Sequence, residues 1–196
     1  MKLPSVPTHS MYKFLAISGV ALIIAGIILT GNLRTNREKD MAFEPDELIQ
    51  QVATAYAENA IEFARDHFGL TLDWSDESVQ HVETILAELH SQITVAKPSD
   101  ETVFGVAKAL GSYVGEVFRK NHGAVWGNVT LEAETIAGLR ADRTGGVFWP
   151  WGKAYNRLKN GPQDNIWHYY CIIRAEDGNG PPLKEVDLSS SPPEKP

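Results

Sequence analysis

The chain has 196 residues, 43% of them hydrophobic, and a formal net charge of −7, which leaves room for one compact domain and one membrane segment. The acidic balance argues against a nucleic-acid binder, since such a protein presents a basic face to phosphate. A single cysteine, Cys171, excludes a disulfide framework and a thiolate metal site. The charge is unevenly placed: positions 44–101 hold 13 acidic residues against Arg65 and Lys97, a balance of −11, whereas positions 102–176 hold 6 acidic and 9 basic residues, a balance of +3. The acidic half reads as solvated helix faces, and alternatively as a docking surface for a basic protein partner.

Residues 1–13 form a short leader. Residues 14–31, "FLAISGVALIIAGIILTG", carry no charge; at about 1.5 Å per residue they span most of a hydrocarbon layer of about 30 Å. The stretch is expected to be a single transmembrane helix that contacts the lipid bilayer. A cleaved signal peptide is the alternative, but no A-x-A site follows. Basic residues flank the span on both sides, Lys2 and Lys13 before it and Arg34, Arg37 and Lys39 after it, so charge counting does not orient it. A short leader before a long C-terminal domain favours a single-pass protein whose domain has crossed the membrane to its outer side. Ala21 and Ala25 form a small-xxx-small pair that could seat a second helix.

Residues 32–43 read as a polar linker, 44–176 as the globular domain and 177–196, with five prolines, as a disordered tail. Pro45 is expected in the first turn of a long helix whose apolar positions are Leu48, Val52, Ala55, Tyr56, Ile61, Phe63 and Phe68, ending at Gly69. Ser75 is expected to cap a second helix with Val79, Val82, Ile85, Leu86, Leu89 and Ile93 as its buried stripe. Ser99 caps a third, with Asp100 and Glu101 in its first turn and a stop at Gly123. Two β-prone runs, 125–131 and 135–140, predict a small antiparallel region with Gly145 and Gly146 as a turn. Pro150 opens a short helix closed by Gly161, and Asp164 is expected to cap a last one, although its aromatic and β-branched residues also suit a strand. The fold class is therefore α+β: three long helices, a small antiparallel β region and one or two short closing helices.

The third helix and its exit, "LGSYVGEVFRKNHGAVW", together with "FWPWGKAYNRLKNGPQDNIWHYY", resembles a family of functionally uncharacterised bacterial domains with a helix of the form LGxYxGExxxxxxGxxW. Gly111, Tyr113, Gly115, Glu116, Gly123 and Trp126 match in place, and Trp149 and Trp151 match approximately. The resemblance implies an envelope-associated or cytosolic bacterial domain, and with the expected anchor a single-pass protein of the bacterial inner membrane whose domain lies in the periplasm; polymorphic-toxin immunity proteins are similar in layout, and no activity is implied.

Physical chemistry supplies reasons for these residues. Interior helix glycines cost about 1 kcal/mol each relative to alanine, so Gly111 and Gly115, one turn apart, predict a close approach by a neighbouring helix or by Trp126. Glu116 has Arg119 at i+3 and Lys120 at i+4, the orientation of a helical ion pair; a tie from Glu116 to the hairpin backbone is a second structural possibility. The catalytic alternative is a lysozyme-like cell-wall glycosidase in which Glu116 beside Trp126 acts as general acid, with Glu132, Glu134 or Asp142 as second carboxylate. Trp149 and Trp151 beside Lys153 suit core packing or an exposed ledge for a sugar or protein. Glu77 and His81 sit at i, i+4 without a third ligand, "GVAKALG" lacks the GK[ST] of a phosphate loop, and no cofactor motif occurs. The expectation is a membrane-anchored interaction domain without catalytic activity.

Overall fold

The computed structural model describes residues 41–131 and 134–179. The leader, the apolar stretch 14–31 and most of the linker and tail lie outside the described residues. Among those described, no helix is long and apolar enough to cross a membrane. The described chain is α+β: strand β1 (Met41–Pro45), helices α1 (Glu47–Phe68), α2 (Val79–Ala96) and α3 (Asp100–His122), strands β2 (Ala124–Leu131), β3 (Glu134–Ala141) and β4 (Val147–Phe148), helix α4 (Pro150–Asn160), a 3-10 turn (Pro162–Asp164) and helix α5 (Ile166–Glu176). The strands form one antiparallel sheet in the order β1-β2-β3-β4.

Helix α3 is the centre of the molecule. Ser99 caps it by accepting from the Thr102 N–H at 3.2 Å, and it stops at Gly123, whose φ of 84° is left-handed. Every residue from Leu110 to Phe118 is buried, because α1 and α4 pack on it from two sides and β2 follows from its end. The face that α1 turns inward consists of Ala53, Ala57, Ala60 and Ala64, all at 0% exposure. Small residues at i, i+4, i+7 and i+11 let two helix backbones lie close. This corrects the expected stripe: Leu48 is 67% exposed and Ala55 also faces solvent. Size favours leucine as a core residue, but the narrow gap against α3 has room only for methyl groups.

Three helix starts differ from expectation for local reasons. Pro45 ends β1, and Asp46 caps α1 by accepting from the N–H groups of Leu48 and Ile49 at 2.9 and 3.2 Å. Ser75 precedes a turn and accepts from the Ser78 N–H at 3.2 Å, so α2 begins after Ser78. Asn165 caps α5 through the His168 N–H at 2.7 Å, leaving Asp164 to bind Lys153. The region 166–176 is helical.

Strand β1 begins inside the stretch read as linker. It pairs along β2 from Met41 opposite Leu131 to Pro45 opposite Gly127. A side chain on Gly127 would run into the Glu44 carbonyl, so glycine is what lets the two strands close there. The Asp46 N–H then donates to the Trp126 carbonyl at 3.1 Å. At the other end, Asp177 is 2% exposed and accepts from the Thr144 hydroxyl at 2.8 Å, so the fold continues past the expected start of the tail.

Candidate functional site

The motif residues converge where α3 leaves for β2. Glu116 is completely buried. Arg119 grips it with two bonds, Nε to Oε1 at 2.9 Å and Nη2 to Oε2 at 2.8 Å; the Trp126 indole donates to Oε1 at 2.8 Å, and the Thr54 hydroxyl of α1 donates to Oε2 at 3.3 Å. Four donors on two oxygens satisfy a buried carboxylate. The i+3 partner is thus the expected one, while the tie to the hairpin runs to an indole instead of the backbone. Lys120 turns away and lies 3.3 Å above the Trp74 ring.

Both glycines face tight contacts. A Cβ on Gly115 would enter the Trp126 indole and come within 2.9 Å of the Leu139 side chain; one on Gly111 would come within 2.6 Å of the Pro150 carbonyl oxygen. Gly115 therefore seats the sheet, and Gly111 seats the start of α4. Trp151 completes that second seat: it is 7% exposed, its indole donates to the Ser112 hydroxyl at 2.7 Å, and its ring lies 5.3 Å from that of Trp126. Trp149 is half-buried, and its backbone N–H donates to the Tyr169 hydroxyl at 2.9 Å.

Tyr113 holds the loop between α1 and α2. Its hydroxyl accepts from the Trp74 N–H at 2.8 Å and lies 2.6 Å from the Ser78 hydroxyl, while its ring stacks on Trp74 at 4.9 Å. Trp74 has φ 67°, an unusual backbone state for a bulky residue. The loop then delivers Asp76 to a polar hub missed by sequence reasoning. Asp76 accepts from Tyr170 at 2.7 Å and Asn121 at 3.0 Å, and its carboxylate lies 3.0 Å from both His122 Nε2 and Arg174 Nε. Burial pulls the Asp76 carboxyl upward, but hydrogen bonds from Tyr170 and Asn121 and the nearby His122 outweigh it, leaving the group below the usual carboxylate range. Its partners lie from 45 positions away, at Asn121, to 98 positions away, at Arg174, so no local pattern could reveal it.

A second feature missed by sequence reasoning lies two turns before Glu116. The Lys108 ammonium sits 4.7 Å from the centre of the Tyr56 ring on α1 and 4.9 Å from that of Trp151 on α4. Burial pushes it below the usual lysine range, and no carboxylate among the described residues is within ion-pair distance of it. One sequence signal existed: the helical neighbours of Lys108 at i±3 and i±4 are Phe104, Gly105, Gly111 and Ser112, none acidic.

The other candidates are dispersed. Glu134 is exposed opposite Leu131 at the hairpin tip, five positions along the ladder from Trp126, or about 17 Å. Asp142 is exposed beside Gly123, about 10 Å of helix rise beyond Glu116. Glu132 lies outside the described residues. His81 Nδ1 is 2.8 Å from the Thr71 carbonyl oxygen.

No family model matches the chain, and no curated protein matches it. In structure it is similar to a protein from Bacteroides thetaiotaomicron VPI-5482 solved by crystallography at 1.50 Å, with a TM-score of 0.51 and 16% identity over 70% of this chain and 48% of that one. The chain thus spans about half the length of that neighbour, and at this identity the likeness is one of fold.

Proposed function

We propose that the domain is a non-catalytic interaction module, tethered to a bacterial inner membrane by residues 14–31, that meets a basic protein partner through the outer face of α1. The supporting observation is how the two halves of the chain cancel each other's charge. Cations of the basic half reach back to the acidic half in three places: Arg157 to Glu83 at 2.7 Å, Lys159 to Asp100 at 2.7 Å and Arg174 to Asp76 at 3.0 Å. Among the exposed acids outside these three pairs, three form a ridge on α1. Glu58, Glu62 and Asp66 stand at i, i+4 and i+8; Asp66 has only its neighbour Arg65, and neither glutamate has an ion pair among the described residues. Like charges at this spacing destabilise a helix by about 0.2–0.5 kcal/mol per pair, a cost that a basic partner would offset. Glu116, the residue on which a glycosidase reading depends, offers no surface from which to protonate a sugar oxygen.

The test is site-specific photocross-linking in cells, with the probe placed at Glu58 and, as control, at exposed His168 of α5. The expected result is an adduct from position 58 only, lost when Glu62 and Asp66 become lysine. Equal adducts from both positions would overturn the docking face. Release of sugars from peptidoglycan by the purified full chain, abolished by Glu116→Gln, would overturn the absence of catalysis.

A further inference from the structure

Lys108 stands apart from the charges described above. Of the other cations of α3, Arg119 binds Glu116, and Lys120 lies over a single ring, that of Trp74. Lys108 is held between the faces of Tyr56 and Trp151, half-buried and without a counter-ion among the described residues. Ring faces attract a cation but accept its N–H donors poorly, and a desolvated ammonium normally takes an anionic oxygen as well. The remaining side of this ammonium is open to one.

The surroundings extend the site. Phe104, one turn before Lys108, meets Tyr155 of α4 edge-on at 6.0 Å, so Tyr56 on one side and Trp151 and Tyr155 on the other flank the outer face of α3. Gly105 stands on this helix one residue after Phe104. Gly111 and Gly115 are explained by contacts that exclude a side chain, but a Cβ on Gly105 would meet nothing within 4 Å. A mid-helix glycine without such a contact loses stability for no gain inside this domain. It lies on the face that carries Lys108, three residues away, where its missing side chain keeps the floor between the aromatic walls low.

We infer that this aromatic clasp is a docking site for a carboxylate-bearing apolar segment of a partner protein, whose Glu or Asp completes the shell of Lys108 while its backbone crosses over Gly105. Charge complementarity selects the occupant: an ammonium held between two rings, without a counter-ion among the described residues, calls for an anion, and the rings of Tyr56, Trp151 and Tyr155 call for apolar neighbours around it. The inference goes beyond the α1 ridge, which has the opposite sign and a different face, so the two can fail separately.

The experiment uses the full chain in detergent micelles with lysine labelled at Cε, where the two rings give Lys108 a ring-current-shifted signal of its own. An amphipathic leucine/glutamate dodecapeptide is titrated against its leucine/glutamine twin and against acetate. The expected result is that the glutamate peptide moves the Lys108 signal with at least about ten-fold tighter binding than the glutamine twin or acetate. Lys108→Met should abolish the binding, followed then by tryptophan fluorescence. Gly105→Leu should weaken it about ten-fold or more while the thermal midpoint holds or rises, since the fold has space for the side chain. Equal binding of the two peptides, wild-type binding by either variant, acetate binding as tight as the peptide, or an unmoved Lys108 signal with every probe would each overturn the proposal.

Discussion

Glu116 and Lys108 lie two turns apart on one helix, and the surrounding structure treats them in opposite ways. The carboxylate is fully enclosed and has four donors from three elements; the ammonium is half-buried, touches two ring faces and has no counter-ion among the described residues. A satisfied charge fixes geometry: Glu116 fastens α3 to β2 and α1, and breaking it leaves its partners stranded. An unsatisfied one contributes little to the fold and keeps its capacity for something outside it. The same division separates the helix glycines, since Gly111 and Gly115 are pressed by neighbours and Gly105 is not.

Substitutions can break this contrast, and the largest effect belongs to Glu116. Glu116→Ala unpairs Arg119 and the Trp126 indole together and should cost about 3–5 kcal/mol in urea unfolding; a loss below about 1 kcal/mol would mean that the node is dispensable. Next come the pressed glycines. Gly111→Ala and Gly115→Ala should each destabilise by about 1–3 kcal/mol, because the groups in the way are the backbone of Pro150 and the buried indole of Trp126. A raised melting temperature for either would place that glycine on an open face.

The Asp76 hub gives a pH-dependent prediction between these extremes. Its carboxyl is depressed in the folded protein, so its contribution is fully present above the unfolded value of roughly 3.9 and is lost as pH falls through the folded value. Unfolding midpoints measured downward from neutral pH should fall in that acid range, and Asp76→Asn should flatten the fall. An unchanged slope in the variant would remove Asp76 as its source. Smaller still, Gly105→Ala should raise stability by about 0.4–1 kcal/mol, the opposite sign to the other two glycines. Smallest is Lys108→Met, which loses two ring contacts worth about 0.5–1 kcal/mol each but also removes a desolvated charge; its melting temperature should stay near that of the parent.

Much of the fold is legible in local sequence. Ser99, Gly123, Pro150 and Gly161 mark their helix ends where caps and stops are expected, and the seat of Trp126 against Gly115 follows from the energetic oddity of an interior glycine. Two kinds of information are not local. The alanine face of α1 is a core only because α3 lies close to it, and alanine carries too little apolar area to announce itself. The Asp76 hub and the Lys108 clasp are assembled from residues far apart in the chain, and nothing in the spacing of Tyr56, Lys108 and Trp151 reveals that they meet. The Met41–Pro45 strand was hidden for a different reason: flanked by charges and ending in proline, it has the composition of a linker, and only its partner β2 makes it a strand.

That strand also has a mechanical consequence. Only residues 32–40 separate β1 from the apolar stretch read as an anchor, a leash of at most about 30 Å. Under the proposed anchoring, tension enters the domain at Met41, beside the hairpin tip, and runs along β1 toward Pro45. Its ladder bonds are perpendicular to that direction, so a pull along the strand loads them together in shear instead of peeling them one by one. If the proposed anchor holds, an edge strand loaded in this way transmits force to α1 without first coming apart.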